Sequence, residues 1–527
     1  MVSQPGAEYP HLTRLLIGAA LLAALVVAAV PTLLYPLTRD QGIYAYIADV
    51  MRDGGAPYRD VWELKPPGVY FAYQLAFSLF GRSEFAVRLF DVLYTLVSAT
   101  SVYLLTWEVF RDRRIAVGAA WIYALSYYLL VHFHSVATPE AFMTPFLVAG
   151  VYGVVRGAQR KSSPALVSGG IASGLVFWFK PTAGLVVVAV LIWAYSHMRR
   201  DGRVVGAALC SLAWVVGGAL LGLLIVGIYL YGRGLRELLE IWWAYGTGPY
   251  LEARGLALDG GPLAVLDVIA QYLRDWQLLV WLSLAAAIGV HVRRERAAAV
   301  AVAFWVSSLA AALVQGKLFE YHWIPVLAPA AMLSSLALVR LGREMVGRSD
   351  MRSIFSAVVV GGLLLWMGYD QLPRYRRLFA YQTGGLSAEQ YYAQFDIGGD
   401  FSRMGTHRAA MYLRERSEPD ETVLVWGVEP LVNFLAQRRS PTNYVSFYVL
   451  VDGEITNPRF EAWRQDFLGD IREAPPRYIV LVENDVTPLA PLGSLGELVK
   501  FPDFESILEA GYDLEAQVED YLFYRRR

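Results

Sequence analysis

Residues 15–34 read LLIGAALLAALVVAAVPTLL, an apolar run without a single charge. At helical rise such a run spans about 30 Å, the thickness of a bilayer's hydrocarbon core. Comparable runs recur near 88–109, 115–131, 138–155, 165–178, 182–197, 204–231, 277–292, 297–314, 323–341 and 353–369. The reading is a polytopic α-helical membrane protein with about eleven transmembrane helices. The first run has only Arg14 close before it and no small-residue cleavage site after it, so it is expected to stay as an anchor rather than be removed as a signal peptide.

Composition agrees with that reading. The 527 residues are 56% hydrophobic and only 18% charged, which excludes both a disordered chain and an ordinary soluble enzyme. With 46 Lys and Arg against 47 Asp and Glu there is no basic field for nucleic acid. The single cysteine, Cys210, excludes an intrachain disulfide framework and a cysteine-based zinc site.

Orientation follows from positive charge, which short cytoplasmic loops retain. Every second loop is basic: Arg111 to Arg114, Arg156 to Lys161, Arg199 to Arg203, Arg293 to Arg296 and Arg340 to Arg352 together hold sixteen Lys and Arg. The intervening short turns hold one each, Lys180 and Lys317, or none. This predicts a cytoplasmic N-terminus, outer loops at 35–87 and 232–276, and an extracytoplasmic tail. The predicted division is a transmembrane domain over 1–372 and a soluble α/β domain over 373–527. In the tail, 421–427 and 477–482 read as buried strands and 430–437 and 504–510 as helices. It contains no phosphate loop, metal-ligand cluster or nucleophile elbow, and its expected role is a structural or acceptor-docking lid.

The chemistry concentrates in the first outer loop. Ile43, Tyr46, Ile47, Val50 and Met51 share one helical face, suited to lying in the bilayer interface. Asp40 opens this helix, where capping of free N–H groups is its ordinary role. Lys65 precedes Pro66 and Pro67, which hold its backbone extended. A lone lysine at this depth commonly snorkels toward headgroups. Here it shares a side of the membrane with two further turns. In the first, Thr138, Pro139 and Glu140 read as N-cap, first helical position and first-turn carboxylate. The second, Lys317 to His322, offers a cation with Tyr321 and His322 as donors to a lipid phosphate, and Lys180 before Pro181 is a similar candidate. His132 and His134 fall on one side of an extended segment with no third ligand adjacent, so no metal is assigned. Trp242, Trp243 and Tyr245 read as interfacial anchors.

These residues carry a resemblance. The loop helix with its Asp, then Tyr58-Arg-Asp-Val-Trp62-Glu63-Leu-Lys65-Pro-Pro-Gly68 and Phe80-Gly-Arg-Ser-Glu-Phe-Ala-Val-Arg-Leu89, resembles the lipid-dependent membrane glycosyltransferases of the protein O-mannosyltransferase and aminoarabinose transferase (family 39-like) group. The resemblance implies a GT-C fold, two surface helices in the first outer loop, and a sugar on a polyprenyl phosphate as donor. It gives Asp40 the role of base or acceptor positioner, matches Lys65 to the group's Lys-Pro-Pro lysine, and matches Glu140 to the second acidic position. Many members have Asp-Glu where this chain has Asp40-Gln41, which leaves the acidic role to Asp40.

The expected reaction is inverting transfer, with Asp40 and Glu140 as the catalytic pair and Lys65, Lys317, Lys180, Tyr321 and His322 around the donor phosphate. Tyr44, Tyr58, Trp62, Glu63 and His134 are expected to contact the sugar or acceptor. No cofactor is required, although a divalent metal is compatible with the chemistry. The partners expected are the lipid-linked sugar, membrane lipids, and a glycan, lipid or protein acceptor, with no nucleic acid. Two rival readings stay open: a transporter or flippase of lipid-linked sugars, and an oligosaccharyltransferase or ligase of the same broad fold. The absence of internal repeats weighs against the first.

Overall fold

Long apolar helices dominate the N-terminal two thirds of the computed structural model, which describes residues 22–198, 204–246, 261–345, 371–396, 402–451, 458–487 and 490–527, with residue 19 and residues 368–369. The segment before the first long helix contributes α1 (Arg39–Arg52) and α2 (Gly68–Phe80). Then come α3 (Glu84–Phe110), α4 (Arg113–Leu130), α5 (Pro139–Arg160), α6 (Ser163–Phe177), α7 (Leu185–Met198) and α8 (Val204–Leu230). The short α9 (Leu235–Ile241) leads to α10 (Gly261–Asp275), α11 (Gln277–Val292), α12 (Ala299–Val314) and α13 (Ile324–Met345). Local chemistry sets the starts. Ser83 Oγ accepts from Ala86 N at 3.1 Å to begin α3, and the Asp112 carboxylate accepts from Arg114 N at 2.9 Å to begin α4.

Every run expected between 88 and 341 is helical. Fewer are long enough to cross a bilayer: four described helices meet length and apolarity together, Glu84–Phe110, Pro139–Arg160, Leu209–Leu230 and Glu320–Glu344. Counting each of two bent pairs as one span, Leu22–Leu34 with Arg39–Arg52 and Ile269–Asp275 with Gln277–Val292, gives six. The expected eleven is therefore not reached among the described residues, because helices such as α6 and α12 are too short to span unaided. Residues 353–367 lie outside the described residues. The chain is a multi-pass, mostly helical membrane protein.

Where α6 meets α8 the backbones touch. A Cβ on Gly170 would lie 2.1 Å from the Val215 carbonyl, and one on Gly218 would lie 2.2 Å from that of Val167. Gly174 and Gly222 repeat the contact four residues on. Small residues at this spacing are how membrane helices gain close dispersion contact where lipid offers no hydrophobic driving force.

The C-terminal stretch carries α14 (Arg403–Arg416), β1 (Val423–Trp426), α15 (Pro430–Ala436), α16 (Pro458–Glu473), β2 (Tyr478–Val482), α17 (Pro502–Gly511), β3 (Tyr512–Val518) and β4 (Tyr521–Arg526). The strands form one sheet in the order β1-β2-β4-β3. β1 and β2 are parallel, with Val423 opposite Tyr478, while β4 runs antiparallel to both its neighbours. β1 and β2 are buried throughout, which is why they read as continuous apolar runs.

This stretch packs on α1 and α2 instead of hanging free. Phe434 stacks on Phe77 with centroids 5.4 Å apart, and Arg82 pairs with Asp49 at 2.7 Å while reaching the Phe434 carbonyl. Arg439 pairs with Asp49 and Asp53, and Ser440 N donates to the Tyr46 hydroxyl at 2.9 Å. A Cβ on Gly42 would lie 2.6 Å from Leu431 Cβ, so only glycine admits α15 this close to α1. The apolar face of α1 is thus covered by protein: Ile43, Tyr46, Ile47 and Met51 are all buried. The expectation that this face lies in the bilayer interface is corrected, since apolar periodicity reports burial without saying what covers it.

Candidate active site

Asp40 is not the cap of α1. Thr38 is, and its N–H donates to Gln41 Oε1 at 3.1 Å. Gln41 is fully buried: Oε1 also accepts from Arg88 at 2.6 Å, and Nε2 donates to the Val136 carbonyl at 2.7 Å. A glutamate here would lack the amide donor. The departure Asp40-Gln41 therefore has a structural use, and it leaves Asp40 in the first turn free to face Lys65.

Lys65 Nζ lies 2.8 Å from Asp40 Oδ2 and 4.9 Å from the centroid of the Tyr44 ring. Its backbone is fixed from several sides. The hydroxyls of Tyr58 and Tyr70 both donate to its carbonyl, at 2.8 and 3.0 Å, and Trp242 Nε1 donates to the Leu64 carbonyl at 2.8 Å. Gly68 N donates to the Trp178 carbonyl at 2.7 Å, so close that a Cβ there would strike Phe179. Burial disfavours a charge on Lys65, but the Asp40 and Glu63 carboxylates outweigh it and hold the ammonium above the ordinary lysine range. Burial, opposed by Lys65, lifts the Glu63 carboxyl above the usual carboxylate range.

A second ion pair faces this one. Glu140, almost wholly buried at the start of α5, lies 2.9 Å from Lys180 Nζ. Lys180 lies 3.2 Å from His322 Nε2 and 5.8 Å from the Tyr321 ring centroid. Tyr44 and Tyr321 each sit in the fields of both Asp40 and Glu140. Asp40, Lys65, Tyr44, Glu140, Lys180, Tyr321 and His322 thus form one polar cluster drawn from α1, the Lys-Pro-Pro segment, α5, the α6–α7 turn and the turn before α13. Burial lowers the pKa of the half-buried Lys317, whose charge is also felt at His322.

The other expected contacts are placed differently. Tyr58 is buried with positive φ and holds the Lys65 carbonyl. Trp62 packs its ring on Tyr245 and Trp463 at 5.4 and 5.6 Å, and its backbone N–H donates to the Asn443 carbonyl at 2.8 Å. Tyr245 and Trp242 accordingly brace the first loop instead of serving only as interfacial anchors. The Glu63 carboxylate accepts from Leu64 N and Lys65 N at 2.8 and 3.2 Å, within the Lys65 field. His134 turns away to Glu320, 2.9 Å distant. Glu320 was not among the residues singled out from sequence; its only signal there is a carboxylate at the outer end of an apolar run.

The model of the dolichyl-phosphate-mannose-protein mannosyltransferase family matches residues 64–231, less than half of the chain. The undecaprenyl phosphate-alpha-4-amino-4-deoxy-L-arabinose arabinosyl transferase 2 of Proteus mirabilis is 31% identical over 227 residues, covering 38% of this chain and 40% of that protein. The corresponding transferase 1 of Sodalis glossinidius is 29% identical over 291 residues, covering 53% of this chain and 49% of that protein. The chain spans less than half the length of either relative. The crystal structure of ArnT from Cupriavidus metallidurans bound to undecaprenyl phosphate superposes with a TM-score of 0.62 at 14% identity, covering 97% of both chains. An oligosaccharyltransferase structure from Archaeoglobus fulgidus reaches a TM-score of 0.50, also at 14% identity, over 96% of this chain and 74% of that one. The chain therefore resembles the lipid-dependent membrane glycosyltransferases of the aminoarabinose transferase and protein O-mannosyltransferase type, and it has the fold of ArnT.

Proposed function

We propose that this protein is an inverting glycosyltransferase that moves a sugar from a polyprenyl-phosphate donor to a hydroxyl acceptor at the outer side of the membrane. The observation that carries the reading is the pairing of Asp40 with Lys65 at 2.8 Å, on a lysine braced by two tyrosine hydroxyls. A direct displacement needs one base and one stabilised leaving group. The acceptor oxygen attacks the anomeric carbon, the bond from that carbon to the phosphate oxygen breaks, and the acceptor proton passes to Asp40. The leaving polyprenyl phosphate gathers negative charge, which Lys65 and Lys180 are placed to stabilise. A lysine held protonated by its carboxylates acts here as a fixed charge, not as an acid. Glu140 holds Lys180 toward the same point, and Lys317 adds a more distant charge.

In this reading the N-terminus is cytoplasmic, and residues 373–527 form an extracytoplasmic α/β domain over the catalytic transmembrane domain of 1–372. Its packing on α1 supports the lid role. The arabinosyl transferases and the undecaprenyl phosphate of the ArnT structure favour a polyprenyl-phosphate donor carrying a pentose or hexose. The test is mass spectrometry of lipids co-purified with the full chain, followed by incubation with acceptor extracts. Consumption of a bound sugar lipid, leaving free polyprenyl phosphate, supports the transferase. Sugar lipid that binds and stays intact with every extract overturns it in favour of transport.

A further inference from the structure

Outside the Asp40–Lys65 cluster, three metal-ligating side chains meet that are far apart in sequence. Glu320 Oε1 lies 3.0 Å from His132 Nδ1, and Glu320 Oε2 lies 2.9 Å from His134 Nε2. The two imidazoles are nearly parallel, at 11°, with centroids 5.7 Å apart, and one donor atom from each of the three residues falls within 4.8 Å of the others. We propose that His132, His134 and Glu320 form a binding site for a divalent transition metal of the zinc class.

The chemistry of the donor set supports this. Two neutral imidazoles with one carboxylate suit zinc and its neighbours, whereas magnesium and calcium favour all-oxygen sites. A tetrahedral ion bonded at about 2.1 Å holds its ligands roughly 3.4 Å apart. The two carboxylate–imidazole separations run to different oxygens of Glu320, so an ion gripped by both oxygens needs each to widen by only a few tenths of an ångström, and the imidazoles need to close toward one another. His132 can supply that movement because its side chain is half exposed, while Glu320 is buried and fixed. The carboxylate is also oriented from behind: Ser135 Oγ donates to Oε2 at 2.7 Å and His132 N donates to Oε1 at 3.0 Å. Supporting hydrogen bonds of this kind characterise working metal sites.

Three protein ligands leave a fourth position open, as in sites that take an exchangeable ligand. His132 also lies in the wall of a cavity of about 700 Å³ whose lining includes Gln271, Arg274 and Asp275. One ligand of the site, His132, thus borders a space large enough for a small oxygen ligand. None of Asp40, Lys65 and Glu140 lines that cavity. The site stands independently of the transferase reading.

The experiment uses the full chain in detergent with any affinity tag cleaved, stripped with chelator, dialysed and titrated with Co²⁺ and then with Zn²⁺. The expected result is one equivalent of zinc by elemental analysis, visible absorption bands of tetrahedral cobalt, and displacement of cobalt by zinc. His132→Ala, at a half-exposed position, should weaken binding by at least about tenfold, and Glu320→Gln should do likewise. Zinc well below one equivalent in the wild-type chain, or one equivalent undiminished in His132→Ala, overturns the proposal.

Discussion

Gln41 Nε2 donates to the carbonyl of Val136 at 2.7 Å, across ninety-five residues of sequence, and so clamps the turn that launches Glu140 to the helix that carries Asp40. The same side chain caps α1 through Thr38 N and receives Arg88. Replacing it with leucine preserves much of the volume but takes the acceptor from two buried donors, Thr38 N and Arg88, and the donor from the Val136 carbonyl. Each stranded group costs about 1–3 kcal/mol, so Gln41→Leu should lower stability by roughly 2–4 kcal/mol. A thermal melt in detergent checks this; an unchanged midpoint would mean that the clamp contributes nothing.

Asp40→Asn should leave the fold intact, because Thr38 and not Asp40 caps the helix. Turnover should fall by about 10²–10⁴-fold if the carboxylate takes the acceptor proton. Sugar transfer at fixed donor concentration, with the melting midpoint as control, measures it. Wild-type turnover would remove Asp40 from the chemistry.

Lys65→Ala should act on the leaving group, lowering kcat with the polyprenyl-phosphate donor by at least about 10²-fold. Because Tyr58 and Tyr70 grip the backbone of residue 65 and not its ammonium, the segment itself should hold. Donor use unchanged in this variant would return the lysine to a snorkelling role.

The contact between the C-terminal stretch and the membrane helices should depend on pH. Burial opposes a charge on His407, yet the Glu84 carboxylate 3.2 Å away outweighs it and raises the histidine's pKa. A raised folded-state value contributes stability that is complete below the unfolded value of about 6.5 and is lost as pH climbs through the folded value. Wild type should therefore exceed His407→Gln in stability near pH 6, by at most about 1 kcal/mol, with the gap closing as pH rises toward 9. A gap that widens with pH would contradict the assignment.

At the α6–α8 crossing, Gly170→Leu should prevent assembly, since even a Cβ meets the Val215 carbonyl at 2.1 Å. Overpacking of this kind costs about 1–3 kcal/mol for a single methylene and more for a full side chain. Size-exclusion profiles in detergent report it, and a monodisperse, wild-type-like peak would show that the helices can separate without harm.

Much of this was legible in the sequence because its signals are local. Apolar runs, the Thr138-Pro139-Glu140 helix start and the buried strands over 423–426 and 478–482 all appear where composition puts them. Asp40 and Lys65 were legible together only through the resemblance, since nothing in their spacing states that they touch. What stayed hidden depends on partners distant along the chain. Lys180 as the counter-ion of Glu140, Glu320 between His132 and His134, and the covering of α1 by α15 are all tertiary facts. The cap of α1 was misjudged because Asp40 and Thr38 are both good capping residues two positions apart, and only the reach of Gln41 decides between them.

The seat of α15 against Gly42 also governs how deletion experiments must be read. Cutting the chain before the sheet would unstack Phe434 from Phe77, strip Asp49 of Arg439 and take Ser440 N from the Tyr46 hydroxyl, loosening the helix that carries Asp40. Such a truncated chain should be inactive whether or not any residue beyond 373 ever touches a substrate. Point changes on the outward side of the sheet, which leave the α1 contact whole, are the way to ask what that stretch recognises.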